Sequence, residues 1–325
     1  MQALLLEQHN GQTHARLCAI SADDLPAGEV TVEVDWSGIN YKDALAITGK
    51  GKVVRQFPMV PGIDFAGRVL HSSDPRFHQG QSVILTGWGV GENHWGGLAG
   101  LARVKADWLV AMPEGLDSRK AMIIGTAGFT AMLCVMALEE GGVTPQSGEI
   151  LVTGASGGVG STAVALLHAL GYRVCAMTGR NSTHPLLQQL GAQMIIGRET
   201  LSADTRPLEK QRWAGAIDTV GGKVLANLLT QIHYGGVVAA CGLAGGTDLP
   251  ASVMPFILRN VRLQGIDSVN FPGVARANVW KRLVKNLPAS FYPLAGHEVT
   301  LAQVVEAAQD LLANRIAGRT LVKIR

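Results

Sequence analysis

The second half of the chain alternates short apolar segments with helical ones, and this alternation constrains the fold more than any other feature. Strands are predicted at residues 150–153, 173–177, 193–196, 216–220, 237–241 and 262–266. The intervening helices at residues 161–170 and 185–190 are each followed by a glycine, the residue that most often ends a helix. Strands that alternate with helices pair in parallel through right-handed crossovers. The pattern therefore predicts an α/β fold with a doubly wound parallel sheet.

The first 120 residues have a different pattern, in which short strands are separated by turns. Val30, Val32 and Val34 alternate with polar residues, which is the period of a half-buried strand. Further strands are predicted at residues 3–6, 64–71, 82–86 and 98–104, a helix at residues 121–138, and a last strand at residues 320–324. We therefore predict a β-rich domain over residues 1–120 and an α/β domain over residues 121–294.

Composition argues against several classes of protein. The 325 residues are 47% hydrophobic and 16% charged with a net charge of +3, which does not fit a disordered chain. No run of five basic residues occurs, which argues against a nucleic-acid partner. No apolar run is expected to reach the roughly 18 residues needed to span a membrane. We expect a cytoplasmic protein with neither a nucleic-acid nor a membrane partner.

The densest glycine cluster lies between a predicted strand and a predicted helix. Residues 154–160 read Gly-Ala-Ser-Gly-Gly-Val-Gly, after the strand that ends at Thr153 and before the helix that starts at Ser161. Glycines at such a turn let backbone N–H groups approach a pyrophosphate, while the helix N-terminus contributes its positive dipole end. The first glycine of the dinucleotide fingerprint is replaced here by Ala155. The turn predicts a nucleotide site.

Two other interpretations of this turn stay open at the sequence level. The same residues match the G-x-S-x-G elbow of α/β-hydrolases, with Ser156 as nucleophile and Asp267 and His297 available as partners in the right chain order. Against this, Gly160 continues the dinucleotide spacing, and no HGGG-type oxyanion segment precedes the elbow. The turn could also serve packing alone.

The tip of the next strand indicates which dinucleotide would bind. NAD-binding proteins place a carboxylate there for the ribose 2′-hydroxyl, whereas NADP-binding proteins place a basic residue. The strand at residues 174–177 runs into Thr178, Gly179 and Arg180, and Arg198 follows the third strand. A hydroxyl and two guanidinium groups at adjacent strand ends suit a 2′-phosphate. The sequence therefore favours NADPH.

Several stretches resemble a known superfamily. Residues 125–131, Gly-Thr-Ala-Gly-Phe-Thr-Ala, together with the glycine turn, resemble the medium-chain dehydrogenase/reductase superfamily. Asn-Tyr-Lys-Asp at residues 40–43 and Pro-Gly-Ile-Asp-Phe-Ala-Gly at residues 61–67 resemble its zinc-free quinone-oxidoreductase branch. The following stretches, at residues 37–49, 85–97 and 254–261, resemble the bacterial NADPH-dependent acrylyl-CoA reductase subfamily. The likeness extends over essentially the whole chain.

This resemblance implies a Rossmann domain and a GroES-like catalytic domain completed by residues from about 295 to 325. It implies reduction of acrylyl-CoA, an enoyl-CoA thioester, to propionyl-CoA with NADPH as cofactor, and a homodimer. The cofactor contacts implied by the family are Tyr41, Ser156, Gly157, Gly158, Val159, Thr178, Gly179, Arg180, Arg198, Leu243, Ile257, Ser268 and Asn314. The chain departs from the family at Thr178, where serine is expected, but the hydroxyl is kept.

The resemblance also bears on metals and on the proton donor. Zinc-containing relatives place a cysteine near the position of Asn40 and a His-Glu pair near Ile63 and Asp64, and neither ligand set occurs here. No metal is therefore expected, and hydrogen-bond donors would hold the charge that develops on the carbonyl oxygen. Tyr41 is the candidate catalytic residue, either as proton donor or as a ring against the nicotinamide. A quinone or enone reductase and a catalytically silent nucleotide-binding protein remain alternatives.

Overall fold

The computed structural model describes residues 1–325, which form two compact units. The first unit consists of Met1–Ala127, Ser268–Val284 and Ala295–Arg325. The second consists of Gly128–Asp267 and Lys285–Leu294. The predicted division assigned residues 268–284 to the α/β domain, whereas their contacts place them in the first unit.

The chain forms fifteen strands and nine α-helices. The strands are β1 (Gln2–His9), β2 (Gln12–Ala19), β3 (Val30–Ile39), β4 (Asp64–Ser72), β5 (Ser82–Thr86), β6 (Leu101–Val104), β7 (Leu109–Ala111), β8 (Glu149–Val152), β9 (Arg173–Met177), β10 (Met194–Ile196), β11 (Trp213–Asp218), β12 (Ile232–Ala240), β13 (Arg262–Gly265), β14 (Gly296–Thr300) and β15 (Arg319–Lys323). The α-helices are α1 (Tyr41–Thr48), α2 (Ser118–Glu140), α3 (Gly158–Ala169), α4 (His184–Gln189), α5 (Gly222–Leu229), α6 (Met254–Arg259), α7 (Gly273–Asn286), α8 (Phe291–Ala295) and α9 (Val304–Leu312).

The second unit contains a six-stranded parallel sheet. Its strand order is β10-β9-β8-β11-β12-β13, which is the 3-2-1-4-5-6 order of the Rossmann fold. Ile150, Leu151 and Val152 on the central strand β8 are fully buried, because helices cover both faces of a parallel sheet. The predicted doubly wound sheet is confirmed.

The first unit is built on a seven-stranded sheet and a separate hairpin of β1 and β2. The sheet order is β14-β15-β3-β4-β5-β7, and β6 also pairs with β3. Val30, Val32 and Val34 of β3 are fully buried, as their alternation with polar residues predicts. β15 pairs antiparallel with β3, with Thr320 opposite Ile39, so residues from the two ends of the chain share one sheet.

Helix α2 corrects one expectation from the sequence. Its 23 residues are long and apolar enough to cross a membrane by length and composition, although no such run was expected. In the fold, 83% of the most apolar 18-residue stretch of this helix is buried. Gly125 interrupts the helix with φ 51° and ψ −159°, a conformation that side chains rarely adopt. The helix is therefore a kinked core helix, and its apolar surface is covered by the rest of the protein.

Candidate functional site

The glycine turn of the second unit connects β8 to α3. Gly154 has φ 57°, and a Cβ atom at this position would lie 2.2 Å from Thr219 Oγ1. A Cβ at Gly160 would lie 2.4 Å from the Gly154 carbonyl oxygen, so this glycine permits close packing of helix on turn. A Cβ at Gly157 would meet only the Gly154 oxygen, at 3.4 Å. The turn therefore has glycine where the chain packs tightly and open space where a ligand could approach.

The N-terminus of α3 is available to an anion. Gly157 is the residue that precedes the helix, in an extended conformation, and no side chain caps the first turn. The Gly157 N–H donates to the Gly154 carbonyl oxygen at 3.0 Å, whereas the N–H groups of Gly158 and Val159, the first two residues of the helix, have no partner within it. Both residues are half-buried. Uncapped N–H groups and the helix dipole together favour a phosphate here.

Polar side chains converge beside the turn. Arg180 Nη2 donates to Ser156 Oγ at 2.8 Å and to the Ser156 carbonyl oxygen at 3.3 Å. The Ser156 and Thr178 hydroxyls are 3.2 Å apart, and the Arg180 backbone N–H donates to Thr178 Oγ1 at 3.2 Å. Partial burial lowers the pKa of the Arg180 guanidinium, which remains a cation. These three residues form what we call the strand-tip cluster.

Arg198 lies across the same strand tip. A Cβ atom placed on Gly179 would lie 2.9 Å from Arg198 Cδ and 3.1 Å from its Nε, so the arginine side chain runs directly over this glycine. Gly179 and Arg198 are both exposed. The structure thus brings two predicted guanidinium groups to adjacent strand ends, while their contact with a cofactor stays a prediction.

The hydrolase interpretation of Ser156 has no support in this geometry. A serine nucleophile must be exposed and bonded to a histidine base. Ser156 is 5% exposed, and its hydroxyl is bonded to Thr178 and Arg180. His297 Nε2 is instead 3.0 Å from the Thr320 hydroxyl. A cation that donates to the serine oxygen lowers its electron density, which opposes nucleophilic attack.

The other predicted cofactor residues occupy loops and a short helix. In the second unit, Leu243 follows β12 and is 60% exposed, and Ile257 on α6 is 73% exposed. In the first unit, Asn314 lies in the turn after α9 with φ 56°. Ser268 is held by Arg276, whose Nη2 donates to the Ser268 carbonyl oxygen at 2.7 Å. The structure therefore distributes the predicted set over both units.

Tyr41 is the first residue of α1 and is 45% exposed. The preceding residue, Asn40, is fixed on both sides of its amide group. Asn40 Nδ2 donates to Asp43 Oδ2 at 3.2 Å, and Asn40 Oδ1 accepts from Arg319 Nη1 at 2.7 Å. The amide can satisfy both partners in one orientation only. The start of the helix that carries Tyr41 is therefore anchored while the Tyr41 ring remains accessible.

A buried ion pair lies next to this anchor. Arg319, 2% exposed in its side chain, approaches Asp64 Oδ2 with Nη2 at 3.3 Å. The same carboxylate oxygen accepts the Thr126 backbone N–H at 2.7 Å. A Cβ atom at Gly125 would lie 2.3 Å from Arg319 Nη2, which explains why glycine stands at the kink of α2. Asn40, Asp43, Asp64 and Arg319 together form the Asn40–Arg319 network.

Asp43 is the member of this network whose pKa is displaced towards neutral pH. Its Oδ1 accepts the Gly62 and Ile63 backbone N–H groups at 3.0 and 2.9 Å, and its Oδ2 accepts the Asn40 N–H at 2.9 Å. These hydrogen bonds favour the carboxylate, but burial and the neighbouring Asp64 charge raise the pKa of Asp43 to about 7. The network therefore changes its charge near neutral pH.

Stability is expected to depend on pH through Asp43. The folded pKa of about 7 lies above the ordinary value of 3.8, so the folded state retains a proton that the unfolded chain has released. The stabilisation is complete at low pH and is lost as pH rises from about 4 to about 7, by up to about 1.4 kcal/mol per pH unit. Urea unfolding of the wild type and of Asp43→Asn between pH 4 and 8 measures this loss of stabilisation. We expect the difference between their unfolding free energies to fall over this range.

Asp74→Asn provides the matched control. Arg76 holds the pKa of the half-buried Asp74 down at about 2, so the contribution of Asp74 to stability is constant above its unfolded pKa of about 4. A difference between wild type and Asp43→Asn that is equally constant would contradict the assignment.

Sequence reasoning missed Arg276, a second buried cation of the first unit. It is 1% exposed and donates to the Thr86 carbonyl oxygen at 2.8 Å and the Val269 carbonyl oxygen at 2.9 Å. Its guanidinium carbon lies 4.8 Å from the centre of the Trp88 ring. The sequence spacing could have indicated this burial, because Arg276 lies on the same face of α7 as the buried residues Trp280 and Leu283.

No group of three or more His, Cys, Asp or Glu side chains lies close enough together to hold a metal ion. The positions at which zinc-containing relatives carry ligands are occupied by Asn40, Ile63 and Asp64. Asn40 and Asp64 are both bonded to Arg319.

Family comparisons agree with this architecture. A sequence model described as an alcohol dehydrogenase GroES-like domain matches residues 26–114, and one described as a zinc-binding dehydrogenase matches residues 158–287. This pair of domains is that of the medium-chain dehydrogenases/reductases.

Two relatives and one solved structure indicate which family within this superfamily the chain resembles most in sequence and fold. Probable acrylyl-CoA reductase AcuI of Escherichia coli (strain K12) is 68% identical over 324 residues, covering 100% of both chains. Acrylyl-CoA reductase AcuI of Ruegeria pomeroyi is 51% identical over 319 residues, covering 98% of this chain and 97% of the relative. The crystal structure of E. coli K-12 YhdH with bound NADPH matches with a TM-score of 0.98 at 67% identity and full coverage of both chains. The chain belongs to the acrylyl-CoA reductase family of the medium-chain dehydrogenase/reductase superfamily.

Proposed function

We propose that this protein is an oxidoreductase that uses NADPH to reduce the activated C=C bond of acrylyl-CoA, giving propionyl-CoA, without zinc. The observation that carries the proposal is the strand-tip cluster, in which the Arg180 guanidinium joins the hydroxyls of Ser156 and Thr178 beside an uncapped helix N-terminus. Such a site accepts a phosphate on the ribose and offers no carboxylate to the 2′-hydroxyl that NADH would present. Full-length similarity to acrylyl-CoA reductases supports the substrate.

The residues of the second unit fit NADPH in their donor chemistry. The pyrophosphate would be held by the backbone N–H groups of Gly158 and Val159, and Gly157 would leave room for its close approach. The 2′-phosphate would be held by Thr178, Gly179, Arg180 and Arg198. Leu243, Ile257, Ser268, Asn314 and Tyr41 are proposed as the remaining contacts. When bound, NADPH supplies the hydride that adds to the β-carbon of the thioester.

Tyr41 is proposed to deliver the proton that completes the reduction. Hydride addition at the β-carbon leaves negative charge on the α-carbon and the carbonyl oxygen, and a proton at the α-carbon then gives the saturated thioester. A phenol is protonated at neutral pH and can donate. The Asn40–Arg319 network fixes the helix start from which the ring projects. Hydrogen-bond donors can stabilise the enolate charge without a Lewis acid.

Parallel assays of NADPH absorbance with acrylyl-CoA, crotonyl-CoA and a small quinone test the function. We expect the highest kcat/KM with acrylyl-CoA. A higher value with the quinone would favour the quinone-reductase alternative. No NADPH oxidation with any of the three would favour a silent nucleotide-binding protein.

Tyr41→Phe tests the proton donor. Loss of a positioned general acid is expected to lower kcat with acrylyl-CoA by about 10- to 100-fold, because water can partly replace the donor at an exposed position. The KM for acrylyl-CoA and the Kd for NADPH should change little. Wild-type kcat in this variant would leave Tyr41 a cofactor contact only, with solvent as the proton source.

We also propose that the protein is a cytoplasmic homodimer. β13 is the last strand of the Rossmann sheet, and Arg262, Gln264 and Gly265 on it are exposed. Exposed apolar residues precede it, among them Val253 and Leu258. An unpaired edge strand next to an apolar surface suits pairing with a second copy. Light scattering of the purified protein would give the mass of a monomer if this is wrong.

A further inference from the structure

We propose that the loop after α1, residues 49–58, binds the phosphates of the CoA substrate through Lys50, Lys52 and Arg55. The inference rests on the proposed function, because it assigns a subsite for the acrylyl-CoA of that reaction. We call residues 49–58 the basic loop.

The three cations of the basic loop have no partner within the protein. Lys50, Lys52 and Arg55 are exposed and form no ion pair or side-chain hydrogen bond. No aspartate or glutamate occurs between Asp43 and Asp64. Lys42, only a few residues earlier, is instead paired with Glu92 at 2.7 Å. The loop therefore presents three uncompensated positive charges to solvent.

The backbone that carries these cations is held in place. Gly49 adopts φ 67° and ends α1, and its N–H donates to the Ala46 carbonyl oxygen at 3.2 Å. The Arg55 N–H donates to the Glu92 carbonyl oxygen at 2.8 Å. Val53, Val54 and Phe57 pack against the core of the first unit, so apolar residues anchor the loop while the cations between them point outward. An ordered loop loses little conformational entropy when it binds a ligand.

The length of helix α1 sets the separation between Tyr41, at the reacting end of the substrate, and the basic loop. Tyr41 begins α1 and the basic loop follows its last residue, so the two are separated by a helix of about 12 Å. In CoA, the extended pantetheine arm that separates the thioester from the pyrophosphate and the 3′-phosphate is longer than this helix, so it can cover the distance. With the thioester at Tyr41, the phosphates therefore come within reach of the basic loop. Lysine and arginine are the side chains that bind phosphate most strongly.

The test compares two thioesters that share the reacting group. Acrylyl-CoA carries the phosphates, whereas acrylyl-pantetheine lacks the nucleotide. In the Lys50→Glu/Lys52→Glu/Arg55→Glu variant we expect the KM for acrylyl-CoA to rise about tenfold or more, since three exposed ion pairs become repulsive. We expect kcat, the KM for acrylyl-pantetheine and the Kd for NADPH to stay unchanged. Lys323→Glu, an exposed cation on β15 of the same unit, is the matched control and should leave every value unchanged.

If the KM rises equally for acrylyl-CoA and acrylyl-pantetheine, the basic loop acts through the fold and not through the phosphates. If the KM for acrylyl-CoA does not rise, the proposal is overturned.

Calorimetric binding of 3′,5′-ADP, the nucleotide part of CoA, separates this inference from the proposed function. If the wild type binds it and the triple variant does not, the loop assignment holds even if acrylyl-CoA is not reduced. If the wild type reduces acrylyl-CoA but binds 3′,5′-ADP no better than the variant, the loop assignment fails alone.

Discussion

Arg319→Met should lower the free energy of unfolding by about 3–5 kcal/mol, because removal of one partner from a buried ion pair leaves the other charge uncompensated. Arg319 contributes the cation to a carboxylate, Asp64, that is fully buried. It also holds the Asn40 amide and the Met122 carbonyl oxygen. Urea unfolding measures the change. Kcat should also fall if the helix start that carries Tyr41 shifts.

Arg315→Met is the matched control for this experiment. Arg315 pairs with Asp310 at an exposed position four residues before Arg319. Exposed ion pairs contribute less than about 1 kcal/mol, so this variant should unfold almost as the wild type does. The double variant Arg319→Met/Asp64→Leu should recover part of the lost stability, because it removes the orphaned charge. Equal effects of Arg319→Met and Arg315→Met would contradict the assigned role of the network.

Arg180→Glu is expected to raise the Kd for NADPH by about 10²- to 10³-fold, through loss of charge-assisted hydrogen bonds and added repulsion of the 2′-phosphate. The Kd for NADH, which has no such phosphate, should change little or improve. Fluorescence titration with both nucleotides measures the shift in preference. The prediction follows from the position of Arg180 beside Ser156 and Thr178.

Arg173→Glu controls for the change of charge. Arg173 is exposed and begins β9, whereas Arg180 follows the other end of the same strand. Arg173→Glu should leave the Kd for NADPH and the Kd for NADH unchanged. If Arg180→Glu weakens NADPH and NADH equally, the variant has disturbed the glycine turn through Ser156, and the proposed 2′-phosphate contact is wrong.

The Rossmann sheet could be predicted because its signal is local. Strands such as β8 and β9 are short apolar runs, and glycines mark the turns between strands and helices. β2 escaped prediction because none of its residues is buried and its apolar residues do not alternate with polar ones: Leu17, Cys18 and Ala19 are consecutive. Helix α2 was predicted from its apolar stretch at residues 121–138. Its kink was not, because glycine is required at Gly125 by the close approach of Arg319, which no local pattern reveals.

The residues of the candidate site also divide into those that a local sequence pattern predicts and those that only the fold brings together. Ser156, Thr178 and Arg180 could be found because strand tips next to a glycine turn meet at one edge of a parallel sheet. The Asn40–Arg319 network could not, because Arg319 and Asn40 are 279 positions apart in the chain. Buried polar groups of this kind appear in a sequence only as charges inside apolar segments, and their partners are identified by the fold alone.

The pairing of β15 with β3 has a consequence for synthesis. Translation runs from the N-terminus, so Asp43 and Asp64 leave the ribosome long before Arg319. Until then the β3 edge lacks its partner strand, Asp64 lacks its cation, and the Asn40 amide that bonds Asp43 lacks its second partner. The continuous stretch Gly128–Asp267 carries every strand of the parallel sheet and can assemble earlier. The first unit, although it begins the chain, is therefore the one that completes folding last.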